Sequence, residues 1–263
     1  MNIQIIVVIM LNFIISLIGT LAYSVRLVGV RTGKIAVSFA LFNILMLVSR
    51  VAVTFQVPIL TKYVEGNPGA GDLLTIFNVI IVISGVATAF GALLIPTFQR
   101  ILYRGVRSFT IDRSLSKLIL HSFSKSGIRY MKECVSVPSK ENVKQLTQKK
   151  YPKRIFVYNL ITVALITVGS LAPIYAGILE PGLRATCITL SSIVNGIATI
   201  LMTIFIDPQL SIMTDDVIDG KRTEEEFRVC VIGLVGSKTM GTFASLLLLL
   251  PFSYLIVFIA KVI

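Results

Sequence analysis

LLTIFNVIIVISGVATAFGALLIPTFQ, residues Leu73 to Gln99, runs for 27 residues without a charge and is followed at once by Arg100. A bilayer hydrocarbon core of about 30 Å is crossed by about 20 predominantly apolar helical residues, so this stretch is long enough to span. Five more stretches read the same way. Met1 to Val25, Ile155 to Leu179 and Ala185 to Ile206 are also uncharged; Ile35 to Leu60 is interrupted only by Arg50, and Val229 to Ala260 only by Lys238. With 55% hydrophobic and 14% charged residues, a water-soluble fold of this length would have nowhere to bury so much apolar surface. The expected fold class is all-α: a polytopic membrane protein with six transmembrane helices in one integral domain. The spans fall at about 3–25, 35–60, 73–99, 155–179, 185–206 and 239–260, with a basic, partly helical loop over 100–154.

Lys and Arg are distributed unevenly among the connections. Arg26 to Lys34 holds three, Arg100 to Arg154 fourteen and Asp207 to Arg228 three, whereas Lys62, Arg184 and Lys261 stand alone on the alternate side. Positive residues near span ends stay in the cytoplasm, which places the long loop inside and both termini outside. The first stretch reads as a span rather than a removed targeting signal, because Met1-Asn2-Ile3-Gln4 has no basic residue and Thr20-Leu21-Ala22-Tyr23 is a poor cleavage site.

The net charge of +12 is therefore local to one loop, and a basic inner loop needs no nucleic-acid partner. Arg100, Arg104 and Arg107 recur at helical spacing beyond Pro96. From Asp112 onward, Lys117, His121, Lys125 and Arg129 step by four, with Leu115, Leu118, Ile119 and Phe123 on another face. Such a segment suits the membrane interface, its cations near anionic lipid headgroups.

Soluble-enzyme signatures are missing. Cys134, Cys187 and Cys230 have no C-x-x-C spacing, and His121 is the single histidine, so neither a disulfide framework nor a His-based metal site or triad is indicated. No G-x-x-x-x-G-K-[ST] or G-x-G-x-x-G occurs, and no cofactor is expected.

Polar residues within the spans carry more information. Arg50 lies about halfway through the second stretch, where an arginine costs about 3 kcal/mol on insertion scales and turns toward a bundle interior or aqueous cavity. No carboxylate sits at comparable depth in any span, which favours an anionic ligand as its partner. Lys238, in Gly233-Leu234-Val235-Gly236-Ser237-Lys238-Thr239-Met240-Gly241, marks either the cytoplasmic edge of the sixth span or a second cavity cation. Asn43, Gln56, Asn78, Asn159 and Asn195 are span amides whose commoner fate is bonding between helices; Asn78 and Asn195 are also candidate ligand contacts.

Asp215-Asp216-Val217-Ile218-Asp219 spells D-D-x-x-D, close after Asp207. Such a spacing holds Mg²⁺ against a pyrophosphate in some prenyl-diphosphate enzymes. The simpler reading is a helix start at Thr214 whose acids favour the dipole, and the single copy leaves metal binding by Asp215, Asp216 and Asp219 the weaker expectation. Gly85-Val86-Ala87-Thr88 is echoed by Gly196-Ile197-Ala198-Thr199, with Pro96 and Pro208 expected to close those two spans and Pro58 and Pro173 near the outer ends of the spans before them.

The chain length, the six spans with a basic central loop, and the stretch from Phe205-Ile206-Asp207-Pro208 to Asp215-Asp216 resemble the Amj family, the alternate lipid II flippases of Gram-positive bacteria. The resemblance covers all 263 residues and implies a protein of the bacterial plasma membrane. It implies movement of lipid II, the undecaprenyl-pyrophosphoryl-linked disaccharide-pentapeptide, from the inner to the outer leaflet for peptidoglycan synthesis. It supplies no residue roles. Physically the two readings meet: dragging an anionic polar head through hydrocarbon is prohibitive, and a groove with a buried cation, open sideways to the tail, removes most of that cost. Arg50 would neutralise the pyrophosphate partway, Arg100, Arg104 and Arg107 would gather anionic headgroups at the mouth, and six spans favour a homodimer sharing the path. The rivals are a Mg²⁺-dependent enzyme acting on prenyl phosphates and a non-catalytic scaffold.

Overall fold

The computed structural model describes residues 3–66, 70–112, 134–136 and 153–263, and among these every regular element is helical. Helices α1 (Ile3–Thr32), α2 (Ile35–Gly66), α3 (Ala70–Asp112) and α4 (Lys153–Leu179) are continuous. The fifth span is composite: a short 3-10 turn (Pro181–Leu183), α5 (Arg184–Thr189), α6 (Ser191–Leu201), a π-helical turn (Met202–Ile206) and α7 (Asp207–Ile218). Helix α8 (Glu224–Val262) completes six helical segments long and apolar enough to cross a membrane. The basic stripe from Lys117 to Arg129 lies outside the described residues, and of Arg107 only the backbone is described.

Helices outrun the apolar stretches. The 43 residues of α3 make a rod of about 65 Å, twice the hydrocarbon thickness, so the helix carries Arg100 and Arg104 beyond its apolar part. Pro96 does not close this span as the sequence pattern led us to expect; α3 passes through it, as Pro58, Pro173 and Pro251 also sit inside helices. Packed neighbours in a membrane bundle can satisfy the carbonyl that a proline frees. Pro208 acts differently. Its ring would clash with the carbonyl four residues back, and the preceding turn widens: the Asp207 N–H donates to Met202 O, five residues earlier. The chain thereby stays helical, and Asp215 and Asp216 fall in the last turn of α7. The expected helix start at Thr214 is therefore corrected, since Thr214 Oγ1 instead donates to Leu210 O within α7 (2.8 Å). The next helix begins after Thr223, whose hydroxyl accepts from the Glu226 N–H (3.2 Å), with Glu224 to Glu226 in the first turn where the dipole favours them.

Packing divides the bundle into two triplets. Helix α1 lies along both α2 and α3, which touch each other little; α4 lies along α8 and along the fifth span. Contact of α3 and α1 with α8 joins the triplets. Apolar clusters close both ends. Ile5, Val8, Leu60, Phe77, Val168, Leu171 and Leu249 fill the end where α1 starts and α8 finishes, with Phe77 edge-on to Tyr175 at 5.6 Å. At the opposite, basic end, Leu27, Ile206, Leu210, Phe227 and Leu234 form a second cluster, and Val25, Val28, Leu41 and Val106 a third. Between the two ends the interior is polar.

Candidate functional site: a cation-lined cavity inside the bundle

All six spans contribute polar or small residues at helical spacing to one cavity of about 450 Å³. Helix α1 supplies Asn12, Ser16, Gly19, Tyr23 and Arg26, steps of four and three that keep one face of a helix. From α2 come Phe42, Met46, Ser49, Arg50, Val53 and Gln56; from α3, Ser84 and Thr88; from α4, Asn159, Thr162 and Thr167; from the fifth span, Asn195, Thr199 and Met202; from α8, Lys238 and Thr242. Ile206 and Leu210 belong both to this wall and to the apolar cluster at the basic end, so they form the floor.

The charges in the wall are all positive. Arg26, Arg50 and Lys238 line it, and no Asp or Glu does. Arg26 is paired: its guanidinium donates to Asp207 Oδ1 at 2.9 Å and stands 5.2 Å over the Phe42 ring. Arg50 and Lys238 form no ion pair with any described residue. Lys238 Nζ has the Tyr23 ring as its nearest electrostatic support, 5.8 Å from the centroid. It also occupies space that Gly19 leaves: a Cβ at Gly19 would stand 2.8 Å from Nζ. Of the two alternatives for Lys238, the structure selects the cavity.

Other polar groups are mostly satisfied by neighbouring helices, which fixes them as wall. Asn159 Nδ2 donates to Leu234 O (2.9 Å) and Ser237 Oγ (2.7 Å), tying α4 to α8. Ser84 Oγ donates to Ile80 O (2.9 Å) and to Asn12 Oδ1 (3.4 Å), and Asn195 Nδ2 donates to Gly169 O (3.4 Å). Thr162 Oγ1 is an exception: it is buried and has no partner among the described residues. A hydroxyl buried in that state is expensive unless something in the cavity bonds to it.

The cavity is not fully enclosed. Its most exposed wall residues are Arg50 on α2, Thr199 on the fifth span and Ile166 on α4. Helix α2 and the fifth span are also the spans least covered by the rest of the bundle, 17% and 11% buried over their apolar windows.

The remaining expectations fare differently. Asn195 lines the cavity; Asn78, half-buried on α3, does not. Arg100 and Arg104 are exposed on the far extension of α3, away from the cavity wall. The D-D-x-x-D acids do not converge. Asp216 pairs with Arg222 (3.0 Å), Asp219 with Lys221 (2.9 Å) and Asp207 with Arg26, while Asp215 faces a second, smaller cavity. The Asp219 carboxylate accepts a hydrogen bond from Lys221 and holds that ammonium above its usual range. No group of three or more metal-ligating side chains forms among the described residues, so this geometry does not suit the pyrophosphate-Mg²⁺ arrangement. Reasoning from sequence missed Arg26, Tyr23 and Gly19 as cavity residues. The signal that could have found them is the 12, 16, 19, 23, 26 stripe, hidden because only Arg26 is charged.

Fold and cavity together define a multi-pass helical membrane protein whose six spans enclose a polar, cationic chamber. The chain belongs to the Amj family, described as "Alternate to MurJ", whose family model matches residues 11–260. It is similar to a Bacillus subtilis (strain 168) protein named lipid II flippase Amj, with 34% identity over 248 residues, 93% of this chain and 92% of the relative. No solved structure matches it.

Proposed function

We propose that this protein is a flippase for lipid II, carrying the anionic head of that polyprenyl-pyrophosphate lipid through the cavity while the tail stays in the bilayer. The observation that carries this reading is a mid-bundle chamber with two cations, Arg50 and Lys238, that form no ion pair among the described residues, no described carboxylate in its wall, and an opening between α2 and the fifth span. Two bare cations in a low-dielectric wall are unfavourable until an anion arrives, so the chamber is complementary to a pyrophosphate. The wall amides and hydroxyls replace water around the head, and no covalent step is required.

In this reading the basic end faces the cytoplasm and both termini lie outside, by the positive-inside rule. Arg100 and Arg104 lie within reach of anionic headgroups there. The Arg26–Asp207 pair ties α1 to α7 at the floor, and Arg31–Glu224 ties α1 to α8. Both join one triplet to the other, so parting them opens the floor, and Arg26 is released to meet the incoming phosphate.

The test is a leaflet-resolved lipid II accessibility assay in proteoliposomes. Wild-type protein should equilibrate lipid II between leaflets, and the Arg50→Ala protein should not. Equal accessibility with and without the wild-type protein would end the proposal.

A further inference from the structure

A second cavity, of about 120 Å³, lies on the basic-end side of Arg26, which lines both chambers. Its walls come from the ends of α1 and α2 and from α7, so it sits in the same gap between α2 and the fifth span as the large one. Its chemistry differs: apart from Arg26 the polar groups are Ser38, Ser211, Thr214 and Asp215.

Two features indicate a ligand. Ser38 is 3% exposed, yet its Oγ has no hydrogen-bond partner among the described residues. It and Thr162 are the buried side-chain polar atoms left in that state, and each lines one of the two cavities. Ser38 is held there by close helix packing: a Cβ at Gly29 on α1 would lie 3.0 Å from the Ser38 Cβ. The second feature is the pairing of an acid with aromatic faces. Asp215 forms no ion pair with a described residue, unlike Asp207, Asp216 and Asp219, and it lines the same small cavity as Phe39. Phe39 is 54% exposed and stacks on Phe42, with ring centroids 6.1 Å apart.

A carboxylate and several hydroxyls set around an aromatic face suit a ring that carries many hydroxyls on its edge and C–H groups on its faces. The carboxylate accepts from the ring's hydroxyls by charge-assisted bonds, and the serine and threonine hydroxyls can donate to them or accept from them. The phenyl face takes the apolar side of the ring. We infer that this vestibule is a carbohydrate subsite that holds the sugar next to the pyrophosphate of the lipid substrate, with Arg26 between sugar and phosphate seats. This inference rests on the flippase reading above and adds to it where the head is recognised. It also gives Asp215 a role that the metal motif did not.

The experiment measures binding by the full-length protein in nanodiscs of two probes, undecaprenyl pyrophosphate and undecaprenyl-pyrophosphoryl-N-acetylglucosamine. The wild-type protein should bind the sugar-bearing probe about tenfold more tightly, the scale of a hydrogen bond to a charged group. Asp215→Ala and Ser38→Ala should each reduce that margin and leave the affinity for the bare pyrophosphate lipid in place; Arg50→Ala should weaken both probes alike. Ser38→Ala removes an unpartnered buried hydroxyl, so its thermal stability should hold, which separates a folding defect from a lost contact. Equal affinity of the wild-type protein for the two probes, or parallel weakening of both by Asp215→Ala, overturns the carbohydrate subsite while leaving the transport reading standing. Binding of neither probe overturns the transport reading and the subsite with it.

Discussion

Replacing Lys238 by methionine tests the cavity most directly, because stability and function should move in different directions. The ammonium is partly buried, has no ionic partner among the described residues and leans only on the Tyr23 ring. An unpaired ion in such a wall carries a desolvation penalty of several kcal/mol after relaxation. Methionine keeps the apolar stem, fits beside Gly19 and removes that penalty, so the Lys238→Met protein should unfold in detergent at the same temperature as wild type or higher. The ligand side is the reverse. A unit charge about 4 Å from a phosphate oxygen contributes about 4 kcal/mol at an effective dielectric near 20. At about 1.4 kcal/mol per tenfold, its loss should weaken binding by roughly a hundredfold to a thousandfold, the lower figure allowing for Arg50 and Arg26 nearby. The assays are thermal unfolding and leaflet-resolved lipid II transport on the same preparation. Wild-type transport by the variant, or an unfolding temperature several degrees lower, would show that Lys238 is a structural element and refute the reasoning.

Three further expectations follow from the same geometry. Arg50→Ala should abolish complementation of a flippase-deficient cell while the protein still accumulates in the membrane, and Arg50→Lys should rescue only in part, lacking the planar fork that grips phosphate oxygens; full rescue by lysine would show that a point charge suffices. Breaking the floor pair with Asp207→Asn should leave the fold intact and raise accessibility of a cysteine placed at Met202 to a water-soluble reagent added on the basic side; unchanged labelling would argue against the floor as the moving part. Removing Arg100, Arg104 and Arg107 together should reduce capture of anionic lipid in a salt-sensitive way, at about 1 kcal/mol per cation, whereas the Arg50 effect should persist at high salt, since Arg50 lies midway along its span, away from bulk ions.

Much of the architecture was legible along the chain because hydrocarbon permits few solutions. Every backbone polar group must be satisfied within the span, so six long apolar stretches become six helices without reference to their neighbours. Arg50 announced itself for the same reason: a cation in an otherwise uncharged stretch has to face something other than lipid. The placement of Lys238 was open, because Val229 to Ala260 is longer than a bilayer requires and either register accommodates it. Packing decided it, through the space left by Gly19 on a helix more than two hundred residues away in sequence.

The aspartates near Pro208 show where sequence reasoning failed. Proline after an apolar stretch looked like a stop, and Thr214 before two acids looked like a start. One widened turn at Met202–Ile206 carried the helix past the proline and moved those acids to its other end, where Arg222 engages Asp216 and Lys221 engages Asp219 just beyond. Whether a proline ends a helix depends on partners for the carbonyls it frees, and those belong to the tertiary structure. The sequence by itself determined that the chain is a membrane bundle and that it carries unusual charge at depth. Only the tertiary structure decided that Arg50, Lys238 and Arg26 line one chamber and that apolar clusters lie at its two ends. Helix periodicity assigns residues to faces, but which faces meet is set by side-chain packing between segments far apart along the chain.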